Sequence, residues 1–410
     1  MNNESKRYSW QRLGLASMTR SEWIFTVFIF LFCGLFTFVE LNNHKLFTND
    51  FRVYFEATRD FFAGNNPYEH AYGLSTGFFK YPPFTLYLFA PQLLFSYGVG
   101  QAIHLSLLGF SLVYSIITLR KLVERYQLFG SLKVPAGFLY LTFVCVAIHL
   151  TRELHMGNVN LLLLLLFTLG LRSLLNGKDV PLAVWWSLML ILKPIMILVI
   201  LPLLIHRKWR AIAYMAGFGL FFLLFPTLHI GWTGMSALWQ DWFKAIAAHG
   251  DYLTSFNAIG TLMKLHFGVT SFWIVPLLVL LFLVALMIRE RIKFGVSTEQ
   301  LWVWTTVFSA FIPNFFVTDT EHFLLSIPLI FLLLTALLKV KKWYFWVSFF
   351  LGMLCFAFNS SDLLGDDLSN LLYDKGFLGI GNLIFIATLL VLRSSNRNVQ
   401  VPLNTINNGF

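Results

Sequence analysis

Charge is scarce in this chain. Only 12% of its 410 residues are Asp, Glu, Lys or Arg, while 57% are hydrophobic. A soluble domain carries about 25% charged residues because its surface must be wetted. The shortage excludes a water-facing globule, and a mean hydropathy of +0.70 places most of the surface against hydrocarbon. Cysteine is scarcer still. Cys33, Cys145 and Cys355 each stand alone inside an apolar run, so there is neither zinc-ligand spacing nor a disulfide framework. Each reads as a small buried hydrophobe. Acidic residues number 20 against 30 basic ones, for a net charge of +10. That excess does not point to nucleic acid. The basic residues collect in short connectors between apolar runs, as cytoplasmic loops of membrane proteins do. Internal repeats are also missing, and these are the usual mark of a secondary transporter.

What the chain does have is long apolar runs. A helix needs roughly 20 apolar residues to cross a bilayer. Runs that serve are 23–41, 101–119, 134–150, 158–175, 211–230, 271–288, 300–316, 323–338, 343–358 and 378–392. Two stretches need arbitration. Residues 83–97 are short and contain Pro91. If they crossed, the basic connector 120–133 would face outward, against the positive-inside rule. They are therefore expected to be a re-entrant or surface-lying element on the outer face. Residues 181–205 are then expected to form a hairpin of two short helices turning at Lys193-Pro194. The expected fold is an all-α integral membrane protein of about 12 membrane segments. Residues 1–22 are polar, basic and lack a cleavage site, so they read as a cytoplasmic tail before an uncleaved anchor. The transmembrane domain is expected over 23–393, and 394–410 as a second cytoplasmic tail. Residues 231–257 and the acidic 359–376 are expected as outer loops.

The first outer loop, 42–82, is long, polar and aromatic, and long ordered loops tend to carry function. Within it, DFRVYFEATRDFFAG alternates Phe51, Phe55, Phe61 and Phe62 with charges. This is the pattern of an amphipathic helix lying in the membrane interface, stopped by Gly64.

Charged groups in hydrocarbon cost roughly 2.5–3.5 kcal/mol each on insertion scales, so those at span ends need a reason. The expected topology gathers Asp50, Arg52, Glu56, Arg59, Lys80, Arg152, Glu153, His155, Asn158, Lys193, Lys264, Asp319, Glu321 and His322 at outer ends. Such a mixed set suits an anionic ligand together with a proton acceptor. Asp50 reads either as a helix N-cap or as a general base. The prolines and rings of NNPYEH and FFKYPPF, with Tyr68 and Tyr81, read as an interfacial anchor or as a stiff site wall. RELHMGNVN sets Arg152, His155 and Asn158 near a helix start, as a satisfied polar end or as phosphate contacts. Lys193 either snorkels or pairs with an anion. His322 is either structural or a ligand contact. Asp366-Asp367 lie in an acidic surface loop and are not taken as a metal site.

In order along residues 20–340, the segments DFRVYFEA, GNNPY, YPPF…AP, GNVNLLLLLLF, LKPIMILVILPLL…RKWRA and NAIGTLMKL resemble glycosyltransferase family 87. These are multispanning enzymes of the GT-C superfamily, similar to polyprenyl-phosphate-mannose-dependent mannosyltransferases. Two departures stand out. Gly157-Asn158 replaces the family's Gly-Gln, which keeps an amide. Asn257-Ala258-Ile259 replaces Asn-Gln-Ser, which removes polar groups.

The resemblance implies a GT-C-type bundle in the cell (inner or plasma) membrane, both termini cytoplasmic, working on the outer face. A polyprenyl-phosphate sugar would be the donor, and a glycan or glycolipid hydroxyl the acceptor. Membrane lipids would be partners, with no metal cofactor and no nucleic acid. Asp50 matches the family's catalytic aspartate, as general base of an inverting transfer. Arg52, Arg152, His155, Asn158, Lys193, Lys264 and His322 are then placed on the donor phosphate and sugar, and Tyr54, Tyr68 and Tyr81 on the acceptor wall. A transporter or flippase for lipid-linked sugars, a membrane scaffold, and a polymerase or ligase of lipid-linked glycans are the competing readings.

Overall fold

The computed structural model describes residues 18–397 apart from 75–76, 127–132, 250–255, 270, 272 and 341. The polar ends 1–17 and 398–410, and residues 127–132 of the 120–133 connector, lie outside the described residues. Among those described, the chain is helical, with a single β-bridge between Ala71 and Phe78.

Helix α1 (Arg20–Asn42) starts in a capping box, in which Thr19 and Glu22 satisfy each other's backbone N–H groups. It lies on the periphery and exposes Leu31, Leu35 and Phe38. Then follow α2 (Asn49–Phe62), α3 (Thr85–Phe89) with a 3-10 turn to Leu94, α4 (Tyr97–Tyr126), α5 (Gly137–Met156), α6 (Asn160–Leu175) and α7 (Asp179–Leu192). A 3-10 turn (Pro194–Ile200) leads into α8 (Leu201–Ile205), then α9 (Trp209–Leu224), α10 (Thr227–His249), α11 (Ile259–Phe267) and α12 (Ile274–Phe294). The chain closes with α13 (Thr298–Phe315), a 3-10 turn (Thr320–Ser326), α14 (Ile327–Leu337), α15 (Trp343–Ala357), α16 (Ser361–Leu364), α17 (Asp366–Asp374) and α18 (Phe377–Arg397).

Five of these segments are long and apolar enough to cross a membrane: α1, α4, α5, Thr320–Leu337 and α18. The bent pair α9–α10 gives a sixth if counted as one. This is a multi-pass membrane protein. The segment Thr320–Leu337 is the central pillar. It is buried throughout its length, in contact with α4, α5, α13 and α18. A helix enclosed on all sides is apolar all round, which is why no polar face appears in its sequence after the polar head Thr320–His322.

The two expected irregularities are present. Residues 85–94 form only ten residues of α and 3-10 helix, and Phe89 stacks on Tyr54 of α2 at 4.5 Å. That is too short for a span. Residues 179–205 break at Lys193, whose backbone is extended before Pro194. Asp179 follows the α6 end, where Tyr126 bonds the Leu175 carbonyl. The tip lies at the opposite end, and Arg291 bonds the Ile205 carbonyl on the return. The stretch is thus a hairpin. Its short arms are flanked by protein: α7 packs between α6 and α9, and the return arm lies against α13.

Other expectations need correction. The interfacial helix exists as α2, but Phe51, Phe55 and Phe61 are buried against protein, and only Phe62 is exposed. Its apolar face covers the bundle rather than the lipid. The cap is Thr48, in a left-handed conformation, so Asp50 sits in the first turn instead of at the N-cap. The 211–230 run ends at Leu224, and most of the supposed loop 231–257 is helix α10, set at 83° to α9 with non-helical Gly231 inside it. Part of 359–376 is likewise helical, as α16 and α17.

Candidate active site

A cavity of about 510 Å³ opens at one end of the bundle. Its ionisable lining is Asp50, Lys80, Lys193, Asp319, Glu321 and His322, with Tyr54, Tyr81, Asn158, Thr320 and Tyr373 between them. Six chain regions supply these groups: α2, the loop before α3, the α5–α6 turn, the hairpin tip, the head of the central pillar and α17.

Asp50 is placed by a close crossing of α2 over the end of α5. Gly157 there has φ +65°, and a Cβ on it would lie 2.9 Å from Cβ of Phe51. Only glycine permits both the conformation and the approach. The Thr48 N–H donates to the His155 carbonyl (2.7 Å), and His104 of α4 donates from Nε2 to the Gly157 carbonyl (2.9 Å). The start of α2 is thereby fixed on the bundle.

The loop bearing Lys80 and Tyr81 is held at its backbone. Trp242 of α10 donates to the Lys80 carbonyl (2.9 Å), and Tyr68 to the Tyr81 carbonyl (2.7 Å). The Tyr54 and Tyr81 hydroxyls lie 2.8 Å apart. Burial raises both phenols well above their ordinary value, so they stay protonated at neutral pH.

Lys193 sits at the centre of a polar chain. Its ammonium donates to Oδ1 of Asn160 (2.9 Å) and lies 3.4 Å from Oδ1 of Asn158. Asn160 in turn donates to Glu153 (2.9 Å), whose other oxygen accepts the Leu161 N–H (3.0 Å). A buried carboxylate is held there at the N-terminus of α6, where the helix dipole favours it. On its other side Lys193 lies 3.0 Å from Nε2 of His322, and Nδ1 of His322 lies 3.2 Å from the Asp319 carbonyl. A carbonyl only accepts, so Nδ1 carries the proton and Nε2 accepts from Lys193.

Burial, followed by the nearby charge of Asp319, pushes the Asp50 carboxyl up to about 7, against the pull of Lys193 and Lys80. Burial lowers Lys80, while Asp319 and Asp50 draw it back up. The cleft thus pairs a carboxylate poised to accept a proton near neutrality with two cations facing the same space.

Of the residues singled out from sequence, the cavity brings together Asp50, Asn158, Lys193, His322, Tyr54 and Tyr81. Arg152 reaches it only through Thr320 (2.8 Å), and Tyr68 only through the Tyr81 backbone. Three others are not brought in. Arg52 is exposed on the opposite side of α2. His155 pairs with Glu40 at 2.6 Å, stacked on Phe47. Lys264 is exposed on α11. Asn257, which precedes the departing Ala258 and Ile259, is buried outside the cleft, accepting from the Gly379 N–H (3.1 Å) and, at its carbonyl, from Asn314 (3.2 Å). It fastens α11 to α13 and α18. Lys80, Asp319 and Glu321 belonged to the outer-end set but were not singled out. Thr320, Tyr373 and Asn160 carried no local signal. Among the described residues, no three His, Cys, Asp or Glu side chains converge as a metal site would, and Asp366 and Asp367 form the first turn of α17.

Fold and cleft together define a multi-pass helical membrane protein with an acid–base site at one end. The chain belongs to glycosyltransferase family 87, whose model matches residues 78–318, more than half of its length. It is a membrane glycosyltransferase. No curated protein matches it. Among solved structures it is similar to ArnT from Cupriavidus metallidurans bound to undecaprenyl phosphate, at 14% identity and a TM-score of 0.36, over 93% of this chain and 79% of that one.

Proposed function

We propose that this enzyme moves a hexose from a polyprenyl-phosphate sugar to a hydroxyl of a glycan or glycolipid, by single displacement with inversion. The observation that carries this reading is the sharing of one cavity by Asp50, Lys80 and Lys193. In the step proposed, the acceptor oxygen attacks the anomeric carbon and its proton passes to the Asp50 carboxylate. The bond from that carbon to the phosphate oxygen breaks, and the electron pair leaves on the lipid phosphate. Lys80 and Lys193 stabilise the charge that develops there. Lys193 acts through its field, because its N–H groups already point at Asn160, Asn158 and His322. Lys80 makes no ion pair among the described residues and is the better direct phosphate contact. His322, with both ring nitrogens engaged, positions Lys193. Mannose is the sugar the family resemblance favours.

The lipid chain of the donor is proposed to run along the outside of α9, where Phe84, Ile191 and Phe222 form a buried apolar cluster with Tyr87, Phe218 and Phe225. Leu220 and Phe221 next to them are exposed. The opposite end carries Arg120, Lys121, Arg207, Lys208, Arg289, Arg291 and Lys293, which supports a cytoplasmic placement of that end, and of both termini, with the cleft facing outward from the cell membrane.

The test offers purified protein a panel of polyprenyl-phosphate sugars with a membrane extract, comparing wild type with Asp50→Asn. Transfer by wild type alone, with the product anomer opposite to the donor's, is expected. Equal transfer by both removes Asp50 from the chemistry, and a retained anomer rules out single displacement.

A further inference from the structure

A second cavity, of about 240 Å³, lies at the far end of the bundle between the ends of α12 and α18 and the start of α13. Arg289, Lys293 and Arg393 line it, with Glu290 and the apolar Leu286, Phe294, Trp304 and Leu390. The charges are sorted rather than mixed. The Glu290 carboxylate is held on one side by Arg393 (2.7 Å) and on the other by Trp304 Nε1 (2.6 Å). Arg393 also lies 3.7 Å from Glu299. Arg289 and Lys293 make no ion pair among the described residues, and both are exposed. Arg291 beside them is committed to the Ile205 carbonyl. Four cations therefore meet two carboxylates, and the excess positive charge rests on Arg289 and Lys293 at the mouth.

A floor of fixed ion pairs with free cations at the rim is suited to an oxyanion, not to a cation or a neutral sugar. The walls decide what the oxyanion is attached to. Leu286, Phe294, Trp304 and Leu390 form apolar walls directly beneath the positive rim. A soluble phosphate has no use for them, whereas two acyl chains do. Basic pockets between helix ends are where lipid headgroups are held electrostatically.

We propose that this pocket binds the phosphate headgroup of an anionic phospholipid, with Arg289 and Lys293 on the phosphate and Leu286 and Leu390 against the acyl chains. The site is separate from the transfer cleft and stands whether or not that chemistry is as proposed. The lipid would tie the ends of α12 and α18 together on the face opposite the cavity.

Native mass spectrometry of the purified full chain tests this by titration with phosphatidylglycerol, phosphatidylcholine or inorganic phosphate. Wild type is expected to retain phosphatidylglycerol over phosphatidylcholine. The Arg289→Gln/Lys293→Gln variant is expected to bind it about 30-fold more weakly, at about one charge contact each. Arg289→Lys, which keeps the charge, should bind as wild type, and it supplies the readout if the double variant misfolds. Millimolar inorganic phosphate should not displace the lipid. Equal retention by wild type and double variant, or equal molar competition by free phosphate, overturns the proposal.

Discussion

Lys193 and His322, 129 positions apart in the chain, meet nitrogen to nitrogen at 3.0 Å. Two cationic groups cannot share that contact, so the imidazole is neutral and serves as an acceptor. His322→Gln, which can still accept, is therefore expected to keep most stability, whereas His322→Arg places two charges together and should unfold at markedly lower temperature. Thermal unfolding of the purified variants in detergent distinguishes them, and equal midpoints would refute the assignment.

Lys193 also balances Glu153 through Asn160. Lys193→Met strands that carboxylate and should cost about 3–5 kcal/mol, the usual penalty for removing one partner of a buried charge set. Adding Glu153→Gln should restore part of the loss, with a coupling of about 1–3 kcal/mol. Strict additivity of the two would show that they do not communicate.

The Asp50 carboxyl lies at about 7, and the base must be ionised to take a proton. Below that value it already holds one. kcat/KM is thus expected to rise with pH through about 7 and level off above it. Asp50→Asn should lower transfer by about 10²–10⁴-fold, the ordinary contribution of a general base. A flat profile from mildly acidic to neutral pH would detach Asp50 from the rate.

Lys80 faces the cavity without an ion-pair partner among the described residues. Lys80→Gln should weaken use of the phosphate-linked donor by about 10–100-fold, in line with a charged hydrogen bond of about 1.5–3 kcal/mol. Initial rates against donor concentration would register this, and an unchanged kcat/KM for donor would place the phosphate elsewhere.

Gly157→Ala puts a methyl into a left-handed position 2.9 Å from Phe51. A loss of about 1–3 kcal/mol is expected from backbone strain. A fall in transfer should accompany it, because α2 carries Asp50. Wild-type stability and rate together would show that the crossing relaxes freely.

Much of the bundle was legible because hydropathy reports lipid exposure directly. Helices α1, α4, α5, α13 and α18 appear as runs, and the break at Lys193 is visible because a lysine and a proline interrupt one. Amphipathic α10 and α17 escaped, since a mixed polar and aromatic pattern reads equally as a loop. The α2 pattern gave the helix but not the direction of its apolar face, because burial against protein and against lipid select the same side chains. In the site, Lys193 stood out as an ionisable group inside an apolar run and His322 as one at a span end, whereas Asp50 was marked by the family resemblance. Position at a span end was too coarse a criterion for Arg52, His155 and Lys264, which share the level of the cleft but point away from it. Tyr373 and Asn160 enter through long-range contacts that no local pattern records.

The hairpin tip bears on how the protein is made. Lys193 is translated well before His322, its neighbour at 3.0 Å. Of its three hydrogen-bond neighbours, Asn158 and Asn160 precede it in the chain and His322 follows. The ring that completes its shell arrives when the central pillar threads in. Seating of residues 179–205 is therefore a late event in biogenesis, and a ribosome-stalled chain ending before residue 320 should leave that tip open to aqueous labelling.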